Sequence, residues 1–378
     1  MSGISTGHDE TASGVAGSLG TPAALKRAAA LAIGLFLFIG ALQLLKTGAA
    51  ALDVLQNGSV LVRNALSTLG LGWLGALLVL SGSPVAATSL ALVAAAEETG
   101  GARGLTELEG FTMLTGSRLG AAFVVLLVAV VYALRSGEGR RRAPLSTAVL
   151  ALAATAVVYL PAAAFGAALL SWEPYASLEL GFPGQFVDLI DLVYGRAVEE
   201  AEGSLPPVLV FLAGLGILLV AFKFIDAALP DLDDTSVSRN TDWLRRKWPM
   251  FGLGCAVALV TMSVSVALTI LVPLVAKNVV RREYVLPYIM GANITTLGDT
   301  MLAAFALDSP AAVRVVLAEV VAAGTISVLL LALAYPLLWT ALWETQAWVT
   351  RTRARLALFT VGVLLVPLLT IAFAGLLG

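Results

Sequence analysis

A chain of 378 residues that is 59% hydrophobic, only 13% charged and has a mean hydropathy of +0.92 cannot cover itself with enough polar surface to live in water. Its formal net charge of -2 provides no polycationic field, so nucleic acid is not expected as a partner and the lipid bilayer is. A single cysteine, Cys255, and a single histidine, His8, exclude an internal disulfide, a cysteine zinc cluster and any catalytic arrangement built on an intramembrane imidazole; no enzyme activity and no cofactor are expected.

Residues 1–22 are rich in Gly, Ser and Thr and read as a disordered leader, without the apolar core of a cleaved signal peptide. Apolar stretches of the roughly 20 residues a crossing needs follow near 24–46, 110–134, 145–170, 205–229, 284–307, 311–343 and 357–377, seven crossings in all. Two more, near 72–96 and 249–276, carry polar breaks at Ser81-Gly82-Ser83-Pro84 and at Thr261-Met262-Ser263-Val264-Ser265. These read as broken helices or re-entrant hairpins.

Basic clusters sit at Lys26 and Arg27, at Arg135 with Arg140 to Arg142, at Arg245 to Lys247, at Lys277 with Arg281 and Arg282, and at Arg351, Arg353 and Arg355. All fall on the cytoplasmic side if each broken stretch enters and leaves by one face, and the acidic segments 97–109 and 173–202 then face outward. The resulting expectation is an all-α polytopic membrane protein of the plasma membrane. It has two inverted-topology repeats, each with a broken or re-entrant helical hairpin, a cytoplasmic N-terminus and an extracellular C-terminus. Its parts are a leader (1–22), a first transmembrane repeat (23–170), an extracellular acidic loop (171–204), a second, inverted repeat (205–343), and a basic cytoplasmic loop with an extra helix (344–378). A homodimer is compatible with this plan.

The halves share punctuation in the same order. Lys46 precedes Leu52 as Lys223 precedes Leu229, Ser81-x-Ser83 matches Ser263-x-Ser265, and Leu114-Thr115-Gly116-Ser117-Arg118-Leu119 matches Ile289-Met290-Gly291-Ala292-Asn293-Ile294. Within the apolar runs, Arg118 costs roughly 2.5–3.5 kcal/mol to insert unless it is paired or faces water. It either binds an anion, snorkels outward, or pairs with a carboxylate such as Glu109. Positions 292, 295, 296 and 299 recur at helical spacing, so Thr295, Thr296 and Asp299 define a polar face next to Asn293. With Thr261, that face suits a sodium ion or a proton; the competing reading pairs Asp299 with Arg118 or a lysine. Ser81, Ser83, Ser263 and Ser265 bind substrate if the helices unwind there, or else pack helices. Lys46, Lys223 and Asp226 read as snorkelling side chains, Gln43 as interhelical glue, and Glu319 as lying about one turn into its span.

At the serine pairs and the Gly291-Ala292-Asn293-Ile294-Thr295-Thr296 stretch the chain resembles the sodium/phosphate cotransporter family, over most of residues 30–340. Each repeat of that family carries a Gln-Ser-Ser-Ser hairpin followed by a span opening Gly-Ala/Ser-Asn-Ile-Gly-Thr. Here the glutamines are Leu80 and Met262, the middle serines are Gly82 and Val264, and the first asparagine is Arg118. The resemblance implies sodium-coupled symport of a small anion, phosphate, by alternating access, with substrate at Ser81, Ser83, Ser117, Arg118, Ser263, Ser265 and Asn293 and the ion at Thr261, Thr295, Thr296 and Asp299. The altered motifs keep a second expectation open, a transport-inactive relative acting as a sensor or assembly subunit. An intramembrane serine hydrolase at Ser81 or Ser83 is disfavoured by the lack of a histidine.

Overall fold

The computed structural model describes residues 22–51, 62–102, 104–135, 142–178, 184–228, 246–261, 266–268, 270–271, 275, 280, 282–295 and 297–377, and every regular element among them is a helix. In chain order these are α1 (Pro22–Ala50), α2 (Ala65–Val79), α3 (Ser83–Glu98), α4 (Glu107–Ala121), α5 (Phe123–Arg135), α6 (Arg142–Leu170), α7 (Glu173–Ala176) and α8 (Gly184–Ser204). They continue as α9 (Pro207–Ala228), α10 (Lys247–Thr261), α11 (Val285–Thr295), α12 (Gly298–Ala306), α13 (Pro310–Leu333), α14 (Tyr335–Val349) and α15 (Arg353–Leu377). Six segments are long and apolar enough to cross a membrane: Leu25–Ala50, Glu107–Leu134, Pro144–Leu170, Pro207–Ala228, Pro310–Leu333 and Arg353–Leu376. The chain is an all-α, multi-pass membrane protein.

The first polar break turns the chain back on itself. A capping box starts α2, with Asn64 Oδ1 accepting from the Leu66 and Ser67 amides at 3.1 and 3.0 Å. The helix ends where Leu80 takes φ 57°, a left-handed conformation that costs a side chain of its type roughly 1–2 kcal/mol. Gly82 and Ser83 then open α3, with Pro84 in its first turn, where a missing N–H costs nothing. A Cβ on Gly75 would lie 3.4 Å from Val85, whereas ten residues of straight helix would separate them by about 15 Å. This stretch is therefore a folded-back hairpin. Ser263 and Ser265, at the second break, lie outside the described residues. On either side of them, Gly254 packs against the Tyr288 backbone and the Tyr288 hydroxyl donates to the Ala267 carbonyl at 3.0 Å.

The expected crossing at 284–307 is two helices. The Thr295 hydroxyl donates to the Cys255 carbonyl at 2.8 Å and lies 3.3 Å from that of Gly291, giving the helix end an alternative hydrogen-bond partner. Gly298, a poor helix former, then begins α12. The continuous polar face drawn through 292, 295, 296 and 299 is therefore interrupted, and Thr296 lies outside the described residues. Residues 311–343 also divide: Pro336 has no N–H for the carbonyl four residues back, and α13 stops at Leu333. Most of the segment expected as an acidic loop is helical, as α7 and α8.

Glycines set the closest approaches. Against α4, the α2 contact is made where a Cβ on Gly72 would stand 2.0 Å from the Met113 carbonyl oxygen and one on Gly116 would stand 2.1 Å from that of Leu69. Between α10 and α11 the same contact recurs, with Gly254 at 2.1 Å from the Tyr288 oxygen and Gly291 at 2.0 Å from that of Phe251. Only backbones without side chains can meet so closely. Helices α1 and α9 form a further tight pair through Gly34 on Ile225, Gly48 on Phe211 and Gly214 on the Leu45 backbone. The last helix, α15, lies along α2, where Arg63 Nη1 donates to the Gly375 carbonyl at 3.0 Å.

Candidate functional site

The hairpin tip rests on α4. A Cβ on Gly82 would come 3.0 Å from both the Ser117 carbonyl oxygen and the Ala121 side chain, so its absence lets the turn lie flat on the helix one residue from Arg118. Arg118 is 2% exposed and is not paired with Glu109, which caps α4 by accepting from the Thr106 amide at 3.0 Å. Its Nη2 instead lies 4.0 Å from Asp299 Oδ1 and donates to the Thr300 hydroxyl at 3.4 Å. Asp299 is 4% exposed; its Oδ1 accepts from the Thr300 amide at 2.7 Å, and the Ser83 side chain lies within interaction range of its carboxyl. The guanidinium is thus held by one long ionic contact and one long hydrogen bond. Arg118 Nε and Asp299 Oδ2 are buried with no hydrogen-bond partner, and buried groups of this kind carry a desolvation cost that a ligand can relieve.

A second carboxyl joins this centre. Glu319 on α13 is completely buried, its Oε2 accepts from the Thr115 hydroxyl at 2.8 Å, and its Oε1 has no partner. Sequence reading placed it near the start of its span; the helix begins at Pro310, more than two turns earlier. Tyr159 of α6, also fully buried, lies within electrostatic range of Arg118, Glu319 and Asp299 and donates its hydroxyl to the Asn293 carbonyl at 2.7 Å. Asn293 Nδ2 donates to the Thr155 hydroxyl at 3.1 Å. The centre therefore draws on α3, α4, α6, α11, α12 and α13, with one guanidinium and two carboxyls.

Of the residues singled out by sequence, Ser83, Arg118 and Asp299 meet here, and Asn293 borders the group through Tyr159. Ser81 sits in the turn and is partly exposed. Ser117 is buried, with its hydroxyl returned to the Leu114 carbonyl at 2.7 Å. Thr295 joins α11 to α10, and the Thr261 hydroxyl lies 3.5 Å from the Ala258 carbonyl. Thr115, Thr155, Tyr159 and Thr300 were not anticipated as site residues, since single hydroxyls in apolar helices carry no signal before tertiary packing is known, and Glu319 was named but not assigned to the site. Lys46 pairs with the half-exposed Glu98 at 2.6 Å and reaches the Leu307 carbonyl at 3.3 Å. Gln43 is the expected interhelical contact, donating to the Ala306 carbonyl at 2.9 Å.

A narrow cleft leads to the centre from the side of α1 and α9. Leu31, Leu35, Phe38, Phe222, Ile225 and Leu302 form its apolar walls, and it is also lined by Asp226, which is exposed, and by Asp299. Among the described residues no cluster of three or more His, Cys, Asp or Glu side chains is arranged to hold a metal ion.

Fold and site together define a multi-pass helical membrane protein with an ionic centre buried among its helices. Compared with known protein families, curated proteins and solved structures, the chain matches none of them.

Proposed function

We propose that the chain is a secondary carrier of a small inorganic anion, built from two inverted-topology repeats and working by alternating access. Phosphate with sodium coupling is the cargo implied by its resemblance to the sodium/phosphate cotransporters. The observation that carries this reading is Arg118: a buried guanidinium with an unused donor, loosely held by Asp299, next to the tip of a folded-back hairpin. A planar fork of donors suits a tetrahedral oxyanion, and Asp299, once released from Arg118, suits a hard cation.

Support for the repeats comes from the glycine contacts. Leu69 and Gly72 face Met113 and Gly116 as Phe251 and Gly254 face Tyr288 and Gly291, with three-residue spacing in every case. In the α1–α9 pair, Gly34 meets Ile225 and Gly48 meets Phe211, fourteen residues apart on both helices, the reciprocity expected of elements related by a twofold axis. A second reading is favoured by one feature: Asp299 already sits beside Arg118, so a transport-inactive sensor would have its site filled from within.

Purified protein in liposomes separates the two. Uptake of labelled phosphate driven by an inward sodium gradient, abolished by Arg118→Ala and only reduced by Ser81→Ala, is the expected result. Phosphate binding without flux would favour the sensor, and an Arg118→Ala protein with unchanged phosphate affinity would remove the site assignment.

A further inference from the structure

Glu319 stands apart from the Arg118–Asp299 pair in how its oxygens are used. Among the described residues it has no basic side chain within salt-bridge distance, it is completely buried, and its Oε1 has no partner. Its one polar contact is the Thr115 hydroxyl at 2.8 Å, and that hydroxyl also lies 2.9 Å from the Phe111 carbonyl. A threonine hydroxyl has a single hydrogen to give and can accept another. Both contacts are satisfied together only if Thr115 donates to Phe111 and accepts a hydrogen from the Glu319 carboxyl. With Glu319 ionised, Thr115 must turn to it, one carboxylate oxygen is left without a donor, and the charge stays buried at a high desolvation cost. The same geometry thus supports two hydrogen-bonding arrangements that differ by one proton. Among the described residues no group of three or more His, Cys, Asp or Glu side chains is arranged here to hold a metal ion, and a hard cation gathers around six or more oxygens.

We propose that Glu319 with Thr115 is a proton-binding site that couples proton uptake to the carrier cycle. The step is a transfer from hydronium to carboxylate: an O–H bond of hydronium breaks, the Glu319 oxygen gains the O–H bond, water is released, and the Thr115 hydroxyl, keeping its hydrogen, turns to donate a hydrogen bond to the Phe111 carbonyl. The groups within electrostatic range of Glu319 are Arg118 on α4 and Tyr159 on α6, and Asp299 on α12 lies within range of both of these. Of these, Arg118 is a fixed cation, Tyr159 is neutral at physiological pH, and Asp299 has Arg118 as its counterion. Neutralising Glu319 balances the centre at one cation and one anion, which removes a charge that opposes an incoming oxyanion at Arg118. This inference rests on the carrier reading for its coupling role, while the protonation itself is independent of it.

The test therefore has two readouts on the full-length protein. Infrared difference spectra across a pH titration should contain a protonated-carboxyl band in the wild type that is absent from Glu319→Gln and shifted in position and midpoint in Thr115→Val. In liposomes, acid-stimulated net uptake of labelled phosphate should be lost in Glu319→Gln. Identical infrared titrations of wild type and Glu319→Gln would overturn the proton site, as would a band unaffected by Thr115→Val. If the band titrates as expected but wild-type liposomes take up no phosphate, the proton site stands and the carrier reading fails.

Discussion

At the scale of single residues, the ionic centre carries a cost in stability, which a ligand of the proposed kind would relieve. Arg118 and Asp299 are both almost fully buried yet meet at 4.0 Å, a separation that leaves much of the desolvation cost uncompensated. Removing one partner of such a pair strands the other, at about 3–5 kcal/mol, whereas replacing both by apolar groups of similar volume is often neutral or stabilising. Arg118→Met alone should therefore lower the unfolding temperature in detergent markedly, and Arg118→Met with Asp299→Leu should recover most of the loss while remaining inactive. Equal destabilisation by the single and double variants would mean that the two residues act independently. The sequence made half of this legible. Charged residues inside apolar runs stand out, so Arg118 and Asp299 were visible, but their pairing was only one of several readings because the partners belong to distant helices. Glu319 was discounted because its depth depends on where the helix starts, and apolar runs do not mark that point.

At the scale of helices, what the sequence reveals is length and hydropathy, and what it conceals is breakage. The first hairpin was readable from Ser81-Gly82-Ser83-Pro84, since a Gly two residues before a Pro cannot continue a helix without loss. The break before Gly298 was not, because it depends on Thr295 finding a carbonyl on another helix, at Cys255. Glycines divide along the same line: those at backbone crossings are constrained, while others in the same helices stand in open space. A Cβ on Gly72, Gly116, Gly254 or Gly291 would lie 2.0–2.1 Å from a carbonyl oxygen of the neighbouring helix, while one on Gly324 in α13 meets nothing within 4 Å. Alanine at any of the first four should cost about 1–3 kcal/mol through forced separation of the helices. Gly324→Ala should be neutral or gain up to about 1 kcal/mol of helix preference. Thermal stability of the five variants in one detergent checks this, and a destabilised Gly324→Ala beside unaffected crossing variants would show that the helices do not meet as described.

At the scale of the whole molecule, one end of the bundle is tied shut by polar contacts between distant parts of the chain. Lys46 pairs with Glu98, and Glu97 accepts from the Ser309 hydroxyl at 2.5 Å and from the Ala311 amide at 3.4 Å at the start of α13. Arg314 forms a forked ion pair with Glu107, and its carbonyl accepts from the Tyr175 hydroxyl at 2.6 Å. Partly exposed ion pairs of this kind are worth about 0–1 kcal/mol each, so together they hold a closure that the binding energy of the proposed substrate would be large enough to reverse if the chain works as a carrier. Tyr175 reports on the closure. Its pKa is raised from the model-compound value of 10.0 to about 12, first by burial and then by the Glu107 carboxylate, with Arg314 opposing. A raised folded-state value means that the neutral phenol stabilises the closed end fully below about pH 10, and that this contribution fades as pH climbs toward 12. Glu107→Gln removes the second cause and the partner of Arg314 at once. In that variant the tyrosinate absorbance of Tyr175, identified by subtracting the Tyr175→Phe spectrum, should appear at lower pH than in the wild type. A cysteine placed at Ser83, with Cys255 replaced by serine, should also become more reactive toward a membrane-impermeant thiol reagent from this end. If neither the absorbance nor the labelling rate moves, the closure is held by the apolar helix contacts, and these ion pairs only decorate its rim.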